Sequence, residues 1–397
     1  MHRRDLLTRA AAAAPMLVAG RVWAAPASQA RVLVVFLRGA YDAANAVIPT
    51  GSDFYYQARP TLQIARPNPA DPNAALPLDA DYGLHPALKE SIYPLWQKQQ
   101  VAFVPFAGTD DLSRSHFETQ DTIELGQPLQ GTRNFASGFM SRLCRQLAGG
   151  LQPIAFTDRV PLTFRGEGQV PNIAIGGLGT ARVDDRQATL IEQMYQGRAL
   201  GGAVSEGFHV RDEVTRTLSS EMTSASRDAA SPKGFELSAR RIGRLMRTDY
   251  NLGFVDVGGW DTHVNQGAAT GYLAGRLGEL GRGLAGFVDE IGPEAWTDTV
   301  VAVVSEFGRT FRENGNGGTD HGHGSVYWIM GGGVRGGRLA GDQVKVSEAT
   351  LNQDRDYPVL TDYRALLGGL FQRTYGLSPA RLQQVFPQAA PKDLRLV

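Results

Sequence analysis

The chain has 397 residues, 42% of them hydrophobic, enough to bury a large core in one big domain or two smaller ones. Its 40 basic side chains balance 40 acidic ones, which excludes an overall field that would recruit nucleic acid or anionic lipid. Cys144 is the single cysteine, so an intramolecular disulfide and a thiolate zinc site are both excluded. Any metal must be held by His, Asp, Glu or a hydroxyl.

In chain order, MHRRDLLTRAAAAAPMLVAGRVWAAP reads as an export signal over residues 1–25. Arg3-Arg4 precedes Leu6-Leu7, the apolar run from Ala10 to Gly20 is too short to span a bilayer, and Val22-Trp23-Ala24 is a small-residue cleavage site. The paired arginines point to the twin-arginine machinery, hence to a periplasmic or secreted protein without stable membrane insertion.

Residues 31–397 read as one domain. Arg31 to Leu37 (RVLVVFL) is a buried strand, and the loop it delivers carries Arg38 and Asp42. The Pro-, Asn- and Asp-rich stretch from Gly51 to Tyr82 is expected to be irregular surface chain. His85-Pro86 opens a helix through Leu88, Ile92 and Leu95-Trp96, with His85 as a helix-start residue, and Val101 to Phe106 is the next strand. Strand, helix and strand at this spacing predict parallel βαβ units. Ser115, with Glu118 three residues on, matches a capping box. A serine there also sits at the positive end of a helix dipole, where an alkoxide or oxyanion is favoured, so cap and nucleophile are both open readings.

Roughly 150–250 reads as a mainly helical insertion or cover, with helices over Asp184 to Tyr195, Val210 to Met222 and Phe235 to Met246. His209, outside any cluster, is read as structural. Leu252 to Val257 is a strand ending in Gly258-Gly259-Trp260-Asp261-Thr262-His263, where Asp261 and His263 can converge on one cation. Leu273, Leu277, Leu280, Leu284, Phe287 and Ile291 recur at helical spacing, and Pro293 is expected to end that helix. Val300 to Val304 is a strand buried on both faces. It leads into Glu306, a glycine-rich loop, the cluster Asp320, His321 and His323, and a further strand from Val326 to Met330. A last helix starts near Thr361-Asp362.

Asp42, Ser115, Asp261, His263, Glu306, Asp320, His321 and His323 all follow apolar runs, where a parallel sheet presents its C-terminal edge. Imidazole and carboxylate donors without cysteine suit zinc or manganese, and a carboxylate-dominated subset suits calcium or magnesium. A divalent cation beside a serine hydroxyl fits nucleophilic attack on an ester. Arg38, Arg114 and Arg309 flank the same loops and are candidates to clamp a tetrahedral anion, or simply to brace those loops.

The segments LRGAYDAANAVIP, SRSHFETQD, GGWDTHVNQG, SEFGRTFRENGNGGTDHGHG and GGGVRGGR resemble the motifs of the exported bacterial family labelled domain of unknown function 1501. That family is grouped with the alkaline-phosphatase-like superfamily of phosphatases, sulfatases and phosphomutases. The resemblance implies an α/β/α sandwich with a largely parallel central sheet and a metal site at the strand ends. It assigns metal and nucleophile roles to Asp42, Ser115, Asp261 with His263, Glu306, and His321 or His323. The superfamily's Asp-His-Gly reads here as Glu306-Phe307-Gly308, so one of two usual ion sites lacks a donor. Two functions follow as expectations: a metal-dependent phosphate- or sulfate-ester hydrolase using Ser115, or a non-catalytic metal-containing binding or assembly protein.

Changing both Arg3 and Arg4 to lysine should leave precursor in the cytoplasm, because a twin-arginine signal is read through that pair. Cell fractionation checks this, and mature protein exported at normal yield would rule the route out.

Overall fold

The computed structural model describes residues 29–147, 149–174, 191, 193–207, 209 and 234–397. The export signal over 1–25 lies outside these residues, as does most or all of the predicted helices from Asp184 to Tyr195 and Val210 to Met222. The β-branched runs form the strands Arg31–Leu37 (β1), Val101–Gly108 (β2), Pro153–Ala155 (β3), Leu252–Val257 (β4), Thr299–Ser305 (β5) and Ser325–Met330 (β6). Short strands at Arg338–Leu339 (β7) and Thr361–Asp362 (β8) complete the sheet. The order is β7-β2-β6-β5-β1-β4-β3, with β8 beside β2.

β1 pairs in parallel with β5 from Arg31↔Thr299 to Leu37↔Ser305, and with β4 from Val32↔Leu252 to Leu37↔Val257. The three central strands therefore end level, and their following loops leave from one edge. β6 runs antiparallel to both β2 and β5, so the sheet is mixed but largely parallel.

Alternation along each strand feeds two separate cores. Leu33, Val35 and Leu37 pack with Val255, Val301 and Val303 on one face. Val32, Val34 and Phe36 pack with Phe254, Val300, Ala302 and Val304 on the other. Among the described residues, the α-helices of seven or more residues are His116–Leu125 (α1), Phe139–Gln146 (α2), Phe235–Thr248 (α3), Tyr272–Thr297 (α4), Tyr363–Tyr375 (α5) and Pro379–Val385 (α6). α3 and α4 cover the first face; α2, α5 and α6 cover the second. The result is the α/β/α arrangement expected from the sequence. No helix among the described residues is long and apolar enough to cross a membrane.

Two local expectations change. α4 does not stop at Pro293: Gly292 takes φ 79°, outside the helical region, and a short second stretch continues to Thr297. Proline kinks here because its missing N–H falls at a break that glycine already permits. The stretch from Gly51 to Tyr82 is also more ordered than its composition suggests. It holds a helix at Asp53–Ala58 and contributes Leu76–Pro77 to a small antiparallel ribbon with Gly83–Leu84 and Val47–Ile48. Tyr55 and Ile64 join a third core with Phe311 and Tyr357, partners about 250–300 residues away that no local pattern announces. His85 does start a helical turn, accepting from the Ala87 N–H at 3.0 Å through Nδ1, but that turn covers only Pro86–Leu88, and a separate helix at Ile92–Gln97 carries Leu95 and Trp96.

Beneath this third core, Arg59 and Asp42 form a pair with both side chains essentially unexposed. Arg59 donates to both carboxylate oxygens, and also to Asn45, to the Phe311 carbonyl at 2.7 Å and to the Thr310 carbonyl at 3.1 Å. Removing one partner of such a pair strands a buried charge. Arg59→Met should therefore cost about 3–5 kcal/mol in urea unfolding, and Asp42→Asn added to it should recover a large part of the loss.

Candidate metal centre

The level strand ends place the loops after β1, β4 and β5 side by side, and α1 enters from the loop after β2. Close approach requires glycine at two points. A Cβ on Gly308 would lie 1.9 Å from the Gly324 carbonyl oxygen, and one on Gly318 would lie 2.4 Å from the His263 carbonyl. Gly308 N–H donates to the His323 carbonyl and Gly322 N–H to the Gly308 carbonyl, a two-way pairing that brings His321 beside Arg309.

Three imidazoles meet at Asp261. Its Oδ1 lies 3.6 Å from His116 Nε2, 2.9 Å from His263 Nε2 and 3.6 Å from His321 Nε2. His263 Nε2 and His321 Nε2 are 3.1 Å apart. The other nitrogen of each ring faces an acceptor. His116 Nδ1 donates to Glu306 Oε1 at 2.9 Å, His263 Nδ1 to Asp320 Oδ1 at 3.0 Å, and His321 Nδ1 to the Arg114 carbonyl at 2.9 Å. Carboxylates and carbonyls only accept, so each Nδ1 donates to its partner, and a ring in its neutral form then presents the lone pair of Nε2 toward Asp261. Arg114 holds its carbonyl there with φ 52°, a left-handed backbone uncommon outside glycine.

With the rings neutral, several lone pairs and a carboxylate face one another, and a shared proton or a bound cation relieves their repulsion. His116 Nε2 is buried without a hydrogen-bond partner, and His116, Asp261 and His321 offer donor atoms all within 4.8 Å of one another. Zinc bonds of roughly 2.0–2.1 Å at tetrahedral angles put ligand atoms roughly 3.3 Å apart, close to the separations around Asp261 Oδ1. The donor set fits a divalent cation, with His116, Asp261 and His321 as its core and His263 adjoining.

Charge around the centre is arranged by burial and partners. Burial pushes the Asp261 carboxyl up, but Arg309, His263 and His116 outweigh it and hold its pKa below the usual range. Asp320 is likewise held low against its burial by His263 and Asn314. His321 is pushed down, first by burial and then by the neighbouring His116. For Glu306, hydrogen bonds from His116, Gln120 and backbone N–H groups overcome burial and keep it ionised.

The other sequence candidates sit elsewhere. Asp42 is fully buried, with Arg59 on both carboxylate oxygens and Gln266 donating to Oδ2 at 2.7 Å, so its charge is already matched by a guanidinium away from the centre. Glu306 is fully buried and accepts from the Gly39 N–H, Gln120 and His116 through Oε1 and from Ser305 through Oε2. Its carboxylate supports a ligand instead of facing the centre. Asp320 reaches the site only through His263. His323 is buried, with Asp356, Asp111 and Arg114 as its charged neighbours. Ser115 stands at the N-cap of α1, one residue from His116, yet its side chain makes no capping hydrogen bond and Glu118 is exposed, so the capping box does not form.

The three arginines are engaged by protein. Arg38 gives its three nitrogens to Asp256, Gln120 and Glu124. Arg114 holds Asp356 and Gln353. Arg309 has no exposed side-chain surface; it pairs with Asp261 and donates to the carbonyls of Gly39, Ala40, Trp260 and Thr319. His116 was not among the sequence candidates. Its one local signal is its place directly after Ser115 in a loop that opens a helix.

A family model described as "Protein of unknown function (DUF1501)" matches residues 29–386. No curated protein matches the sequence. Among solved structures, the chain is similar to a protein in the alkaline phosphatase superfamily from Vibrio parahaemolyticus. That match has 12% identity and a TM-score of 0.34, covering 83% of this chain and 69% of that one.

Elemental analysis after dialysis should find one tightly held divalent ion per chain. His321→Ala should weaken its retention at least as much as the roughly 10–100-fold that changes behind a ligand produce. Two tightly held ions, or full retention in the variant, would contradict this donor set.

Proposed function

The chain belongs to the family of proteins of unknown function DUF1501, and from that starting point we propose that it is an exported, metal-dependent hydrolase of phosphate or sulfate esters. One observation carries the reading: His116, Asp261 and His321 converge one residue from a serine hydroxyl that the helix end does not use. A divalent cation bound at these donors would supply Lewis acidity for an ester oxygen and a lowered hydroxyl pKa. Zinc or manganese suits the imidazole-rich set best.

Ser115 Oγ is the nucleophile in this scheme. It forms a bond to phosphorus or sulfur while the ester bond breaks and the alcohol departs; water then cleaves the serine ester and releases phosphate or sulfate. The first N–H groups of α1 are oriented toward the same end and favour negative charge there. Asp261 contributes as an anion kept charged by the buried Arg309. The paired arginines at positions 3 and 4 support export.

A second reading, a non-catalytic binding or assembly protein that keeps its metal for stability, is favoured by one set of contacts. Arg38, Arg114 and Arg309 are all bonded to protein partners, which leaves the guanidinium clamp expected for a tetrahedral anion already occupied.

Because Ser115 makes no capping bond, Ser115→Ala should change stability by less than the roughly 0.5–2 kcal/mol of a working cap. The same change should lower turnover of phosphate or sulfate esters by orders of magnitude. Melting temperature, metal content and turnover of wild type, Ser115→Ala and Ser115→Asp, compared across an ester panel, test both parts. Undiminished turnover in the variants removes Ser115 as nucleophile and makes Ser113 the next candidate. A wild type that loads metal but turns over no ester favours the binding-protein reading.

A further inference from the structure

We infer that Glu306 is a positioning residue that makes His116 a metal ligand, acting from behind the ring without touching the ion; this rests on the metal-centre reading above. Its carboxylate is fully buried and meets the centre through the His116 ring. Oε1 collects three donors: His116 Nδ1 at 2.9 Å, Gln120 Nε2 at 2.9 Å and the Gly39 N–H at 2.7 Å. His116 and Gln120 are one turn apart on α1, so the helix docks on this single oxygen through two side chains on one face. The next residue, Phe307, lies nearly parallel to the His116 ring at 5.0 Å between centroids and 28° between planes.

The hydrogen bond fixes the proton on Nδ1, and the stacked phenyl fixes the plane of the ring. Together they aim Nε2, buried and without a partner, at Asp261. A carboxylate behind a ligating histidine also raises the basicity of the donor nitrogen. Glu306 therefore contributes negative charge to the centre through the imidazole, where a direct ligand would contribute it through oxygen.

Glu306→Gln separates this role from packing. The amide oxygen can keep the three donors on Oε1. The new NH₂ faces Ser305 Oγ, whose own proton already has the Leu37 carbonyl at 2.8 Å. The variant should fold, with the melting temperature of its metal-free form near wild type. The test strips the full-length mature protein of metal and titrates Zn²⁺ against a chromophoric chelator, for wild type, Glu306→Gln, His116→Ala and the double variant. Glu306→Gln should weaken zinc binding by about 10–100-fold. The same change made in the His116→Ala background should have little further effect, because the residue through which it acts is gone.

An unchanged dissociation constant in Glu306→Gln overturns the inference while leaving the centre itself standing. A full Glu306→Gln loss that persists without His116 also overturns it, since Glu306 then acts by another route. A wild type that binds no zinc overturns the metal centre and this inference together. Ester turnover plays no part in these outcomes, so failure of the hydrolase reading is read separately.

Discussion

Two buried charges on one turn after β5 tie the strand-end edge of the sheet together. Glu306 is its acceptor hub, taking hydrogen bonds from the loop after β1, from two side chains of α1 and from the end of its own strand. Arg309, three residues on, is the donor hub. It binds carbonyls of the loop after β1, the loop after β4 and the loop that carries Thr319, and it pairs with Asp261. Loops are where backbone groups lose their sheet partners, and each buried one needs a replacement. A carboxylate and a guanidinium supply many such partners from few residues, and their ionic character strengthens each bond.

The level register of the central strands makes this cross-linking geometrically available. Leu37, Val257 and Ser305 lie abreast, so residues 38–42, 258–263 and 306–309 start from a common line. A second buried pair, Arg59 with Asp42, anchors the far side of the β1 loop to Thr310 and Phe311. The chain after β5 is thus held at Glu306 and Arg309 on one side and at Thr310 and Phe311 on the other. Its backbone has little freedom where it passes the three imidazoles.

The chemistry follows from that rigidity. Each histidine has one nitrogen committed to a fixed acceptor, so its second nitrogen can point only one way. Phe307 closes the wall beside His116 and lies 5.3 Å from His321, which leaves a centre built on imidazoles around a single carboxylate. Arg309 holds that carboxylate in its charged form through Asp261 Oδ1, and its other terminal nitrogen lies 3.5 Å from His263 Nε2.

Much of the architecture was determined by the sequence alone. β-branched runs named the central strands, the spacing of Leu273 to Ile291 named α4, and the motifs placed Asp261, His263 and His321 in loops at strand ends. These signals are local, because strand and helix periods are written in neighbouring residues. Which loop-end acid does what is not local. Asp42 and Glu306 look alike in sequence, yet Arg59, 17 residues away, takes one and His116, 190 residues away, takes the other. His116 itself looked like the residue after a helix cap, and the Gly51 to Tyr82 stretch looked irregular. Only the tertiary structure decided both, because a side chain's partner, burial and tautomer are set by segments that meet after the sheet has formed.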